Sequence, residues 1–240
     1  MRQTLRSALP IVAAALGRKL GVAVRVGGAD GAKTDGGVIV LPDLPDGDPA
    51  LRAVTWGYLA HEAAHVRHTD FCAYARGAED GPLQAALQNI FEDIRIEQAL
   101  AVPYPGTRTS IAAVLRHLLA TGDLAAPAAD THPARVLTGY LLLTLRHRVL
   151  GQTVLAAEAD KAAASLGQVF DAQFVAQLET LLADVPTLPD TAAVVALARR
   201  VHALLADALR PPETPQPPPA VASRNSREAA DETDATRSGN

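Results

Sequence analysis

His61-Glu62-Ala63-Ala64-His65 is the stretch on which the reading of this 240-residue chain turns. On a helix, residues four apart lie about 40° from each other around the axis, so two imidazoles there can grip one metal ion. Glu62 falls about 100° from His61, too far round to join them as a ligand yet close enough to reach a metal-bound water. The helix itself is well marked. Asp48 stands as a cap before Pro49, and a largely apolar run from Leu51 to Ala60 leads into the motif. A helix is therefore expected over Pro49 to His68.

A pair of histidines needs a third protein ligand to make an open zinc site. Asn89-Ile90-Phe91-Glu92-Asp93-Ile94-Arg95-Ile96-Glu97 supplies carboxylates on a second expected helix, about Leu83 to Leu100. Glu92, 27 residues after His65, and Asp93 compete for that place. Leu83, Leu87, Ile90, Phe91 and Ile94 make the main apolar stripe of this helix. Glu92 points about 160° away from its middle, beside the small Ala85 and Ala99. Small neighbours would let the histidine helix come close, so Glu92 is the favoured ligand, with Asp93 or Glu97 orienting a histidine from behind. The expected cofactor is Zn2+ on His61, His65 and Glu92. Such an ion lowers the pKa of its water to about 7, and Glu62 is placed to act as general base. His68 reads as a C-terminal histidine favoured by the helix dipole. Cys72, the only cysteine, reads as a small buried residue and leaves no internal disulfide to form, which suits a cytoplasmic setting.

Outward from this site, composition favours helices. Hydrophobic residues make up 48% of the chain, enough to fill a core, while aromatics are only 4%. A net charge of −4 leaves no basic stripe for nucleic acid, and Arg146, Arg148, Arg199 and Arg200 read as solvated helix faces. No apolar run reaches membrane-spanning length. A first helix is expected over Leu5 to Leu20, then two short strands, Val22 to Val26 and Gly37 to Leu41. The strands are either a hairpin covering the core or an edge offered to an extended chain. Beyond Pro103-Tyr104-Pro105-Gly106 come helices near 110–121, 133–150, 154–166, 170–184 and 190–209. The fold class is thus mainly α with a small β element, over residues 1–210. From Pro211 a Pro-rich and then polar stretch to Asn240 cannot build a core, and is expected to be a disordered tail or a linker to a partner.

These residues resemble the gluzincin group of zinc metallopeptidases, in which an HExxH helix is followed by a carboxylate ligand on a later helix. His61, Glu62 and His65 match position for position, and Glu92 matches by context, over roughly Asp48 to Leu100. The resemblance implies a zincin-like domain, a peptide or protein substrate, and hydrolysis by a zinc-activated water with Glu62 as base. In thermolysin-like members an Asp four residues after the ligand Glu holds a histidine, whereas the position four after Glu92 is Ile96. The extended motif of metzincins is missing, since His68 and Phe71 stand where its Gly and third His belong. The longer stretch His61 to Asp70, with Asn89 to Glu97, also looks like the N-terminal region of bacterial proteins related to a cobaltochelatase subunit that carry a von Willebrand A domain. That resemblance implies a second reading, a non-catalytic, metal-stabilised interaction module of a larger ATPase-linked assembly.

Overall fold

Asp48 accepts a hydrogen bond from Ala50 N at 2.8 Å and Pro49 takes the first helical position, so α2 runs over Pro49–His68 as its sequence signals require. The computed structural model describes residues 5–27, 31–45 and 47–210 of the chain. The expected tail over 211–240 lies outside them. Around α2 the described elements are α1 (Leu5–Gly17), α3 (Phe71–Ala78), α4 (Pro82–Ala101), α5 (Thr107–Thr121), α6 (Pro133–Arg148), α7 (Ala156–Val169), α8 (Ala172–Leu182) and α9 (Thr191–Ala208). Three short strands, β1 (Ala23–Val26), β2 (Lys33–Thr34) and β3 (Val38–Leu41), lie between α1 and α2. The fold is mainly helical with one small sheet. Among the described residues no helix is long and apolar enough to cross a membrane.

The sheet is not the hairpin that was one of the two readings of its strands. β1 and β3 pair in parallel, Ala23 opposite Val38 and Val26 opposite Leu41, and β2 is antiparallel to β3 on its other side. The order is β1-β3-β2, so β3 is central and the two-residue β2 is an edge. Val22, Ile39 and Leu41 turn inward against Leu9 and Ala13 of α1 and Leu59 and Ala63 of α2. The first helix also stops earlier than expected, at Gly17.

α2 and α4 form the frame of the site, and small residues set how closely α2 meets its neighbours. A Cβ at Gly57 would stand 2.2 Å from the Ser110 carbonyl oxygen, so only glycine lets α5 cross α2 there. Ala64 packs with Ile96 and Leu100, which brings α2 onto α4. From Ile90 to Glu97 α4 is buried all round rather than along one stripe. Leu87, Ile90, Phe91 and Ile94 face the large helical core with α6 to α9, and Gln84, Gln88, Glu92, Asp93, Arg95 and Glu97 are also buried. Buried charged side chains need partners, and those of α4 find them in two separate rows, while Gln84 Oε1 and Gln88 Oε1 have none among the described residues.

The helix α3 lies in a stretch where no element was expected. Its signal is Asp70, which accepts from Cys72 N and Ala73 N and starts a helix directly after α2 ends at Thr69. Cys72 sits in its first turn and is exposed, not buried as expected.

Candidate metal centre

His61 and His65 project from one face of α2 with ring centroids 5.0 Å apart. Asn89, Asp93 and Glu97, at four-residue spacing, form the row of α4 that meets them. His65 Nε2 lies 3.2 Å and His61 Nε2 3.6 Å from the same Asp93 oxygen, Oδ1. Ligand atoms of these three residues all fall within 4.8 Å of one another. Two donors bound to one tetrahedral zinc at its usual bond lengths stand about 3.3–3.6 Å apart, so the spacing suits a shared ion. Two imidazoles and a carboxylate are also a donor set that zinc accepts.

The far side of each ring is held. His61 Nδ1 donates to Glu97 Oε1 at 2.9 Å, and His65 Nδ1 is 3.0 Å from Thr69 Oγ1. A ring protonated on Nδ1 alone, the form that a metal ion requires, would present its Nε2 lone pair on the Asp93 side. Asp93 is oriented in turn, since Asn89 Nδ2 donates to its Oδ2 and Tyr74 of α3 donates to Asn89 Oδ1.

Glu92 is not brought to this cluster. Its buried carboxylate accepts from Arg95 Nε at 2.9 Å, from Arg95 Nη2 at 2.7 Å and from Thr191 Oγ1 at 2.9 Å. Arg95 also donates to the His68 carbonyl, so Glu92 belongs to a knot joining α4 with α9 and the end of α2. The expectation that Glu92 faces the histidines fails because it assumed one buried stripe, with the ligand opposite. Were Asp93 the third donor, the position four residues on would be Glu97, which hydrogen-bonds His61.

Arg146 was the residue missed. Read from sequence as part of a solvated face, it enters the site from α6 with only 7% exposure. It donates from Nη1 to Glu97 Oε1 at 2.9 Å and from Nη2 to Asp93 Oδ2 at 3.3 Å. Gln152 completes this side by donating to Glu97 Oε2 at 3.0 Å. Its one sequence signal was an arginine set among Leu142, Leu143, Leu145 and Val149. By contrast Arg148, Arg199 and Arg200 stay half exposed, on Glu179, Asp80 and Asp184.

The electrostatics follow from this packing. Burial works against ionisation of Asp93, but His61, His65 and Arg146 overcome it and lower its pKa to about 2. Burial likewise opposes a charge on His61, yet Asp93 and the Glu97 hydrogen bond raise it to about 9. Glu97 is held below the usual carboxylate range, Arg146 outweighing its burial. Glu62 is pushed up by burial, with the two histidines pulling the other way. It lies beside the cluster and is not one of the converging donors.

His61 and Glu62 also line a cavity of about 530 Å³, whose apolar wall is Ile111, Val114, Leu115 and Leu118 of α5 with Leu142 of α6. On the other side a second cavity of about 350 Å³ is bordered by Lys33 and Thr34 of β2, Phe71, Tyr74 and Asn89. The histidines thus lie between an apolar chamber and a polar one.

Comparison with known proteins overturns the hydrolytic reading. A family model described as cobalamin biosynthesis protein CobT matches residues 2–239. That family is one of cobalamin biosynthesis and not of peptide hydrolysis, so the zinc peptidase, its peptide substrate and Glu62 as its general base are set aside. No curated protein and no solved structure gives a match. Because the match runs over all but the first and last residues, the chain belongs to the CobT family of cobalamin biosynthesis proteins.

Proposed function

We propose that this chain is a metal-binding interaction module of a multi-protein assembly in cobalamin biosynthesis, of the cobaltochelatase kind. His61, His65 and Asp93 hold one divalent ion in it. The observation that carries the reading is the convergence of three donors from two helices, with the outer nitrogen of each histidine already engaged. Bound there, the ion cross-links α2 to α4 and fixes the surface that both helices present. Zinc is the ion this donor set fits best, and Co2+ takes the same donors less tightly. The arrangement of α2, α4 and the β2 edge supports a zincin-like frame over residues 1–210, used for binding rather than hydrolysis. In this reading residues 211–240 link the module to a partner domain or protein in the cytoplasm.

Metal analysis tests it. Protein purified without chelators and incubated with Zn2+ or Co2+ should hold about one ion per chain, as expected of a three-ligand open site. His65→Ala should lose that ion. Wild-type protein that stays metal-free under both conditions would remove the basis of the proposal.

A further inference from the structure

We propose that Arg146 sets this site for exchange of its ion rather than for permanent retention, an inference that rests on the His61–His65–Asp93 site above. Histidine and carboxylate ligands ordinarily lean on carboxylates, carbonyls or water, which raise ligand basicity and tighten binding. Here the α6 guanidinium does the reverse. Asp93 turns Oδ1 to both histidines and Oδ2 to Arg146, so one carboxylate is divided between the ion's position and a fixed cation. Glu97 is divided too, its Oε1 accepting from both His61 Nδ1 and Arg146 Nη1.

Two consequences act in the same direction. An arginine does not give up its proton in a protein, so the filled site places a divalent ion beside a permanent positive charge. The repulsion is weakly screened, because Arg146, Asp93 and Glu97 are all buried. In the emptied site the same guanidinium keeps Asp93 and Glu97 paired, which lowers the penalty of leaving two carboxylates buried beside each other. The filled state is therefore raised and the emptied state lowered. Gln152 fits this arrangement, since it accepts from Arg146 at 3.4 Å while donating to Glu97, and so holds the guanidinium on the carboxylates without cancelling its charge. A site built only to brace the fold gains nothing from such a neighbour. One that must take up and release an ion does.

The test is a charge series in the full chain: Arg146→Gln, Arg146→Lys and Gln152→Glu, with Zn2+ and Co2+ as probes. Affinity is read by competition with a chromophoric chelator, and release by chelator-driven dissociation. Arg146→Gln should bind Zn2+ at least about tenfold more tightly and release it more slowly, while Arg146→Lys stays within about threefold of wild type. Chelator-treated Arg146→Gln should melt lower than chelator-treated wild type and recover on adding metal. Gln152→Glu leaves Arg146 in place and opposes its charge, so it should tighten binding in the same direction and serves where Arg146→Gln fails to fold. Equal or weaker binding in Arg146→Gln, or in Gln152→Glu where Arg146→Gln does not fold, overturns the inference and leaves Arg146 as a brace for Asp93. If wild type binds no more metal than His65→Ala, the metal site itself fails, and this inference with it.

Discussion

Glu92 and Asp93 are chain neighbours about 100° apart around α4, and they serve different parts of the molecule. Asp93 reaches the histidines of α2, and Glu92 reaches Arg95 and Thr191. Their alanine variants should therefore fail differently. Asp93→Ala removes a converging donor, and its metal affinity should fall at least about tenfold. Glu92→Ala leaves Arg95 buried without its carboxylate, which should cost about 3–5 kcal/mol of stability while metal affinity stays near wild type. Chelator competition and chemical denaturation of the two variants side by side check this. Loss of metal from Glu92→Ala with its fold intact would return the ligand role to Glu92. The sequence shows the histidine pair plainly, because spacing on one helix depends on nothing outside it. Choosing between adjacent carboxylates depends on how α4 is rotated against two neighbours at once. Arg146 was harder still, since its partners lie 49 and 53 residues away.

At the scale of elements, α2 was legible to the residue because local chemistry marks both its ends: Asp48 and Pro49 open it, and Thr69 with Asp70 turn the chain into α3. The strands were legible as strands, but their pairing was not. Alternation along a strand carries no record of its partner's direction, and the short β2 between them carries almost no pattern. The α2–α5 crossing gives an element-scale prediction. Alanine at position 57 would gain about 1 kcal/mol of helix propensity, yet overpacking costs about 1–3 kcal/mol. The upper end applies here, because the atom met at 2.2 Å is a backbone oxygen that cannot swing aside. Gly57→Ala should lower the melting temperature by several degrees at unchanged helix content, as circular dichroism would read. A variant as stable as wild type would show that α5 shifts freely along α2.

For the molecule as a whole, the described residues up to Leu209 form one compact unit with its own core. Truncation after Arg210 should accordingly leave melting temperature and metal content within error of the full chain. A drop of several degrees would mean that residues 211–240 contribute to the fold. The site itself gathers α2, α3, α4 and α6 with the segment after α6, and this has a consequence for the order in which the chain can mature. During synthesis Asp93 and Glu97 emerge about 50 residues before Arg146, their only basic partner outside α2 among the described residues. Until α6 docks, the two acids have the histidines of α2 alone against them, and burying α4 on every side is unfavourable. Closure of the core around α4 thus waits for Arg146 of α6, and then for Thr191 of α9 beside Glu92. Local helices can form as they leave the ribosome, but α4 has its full set of charged partners only when α6 and α9 have both followed.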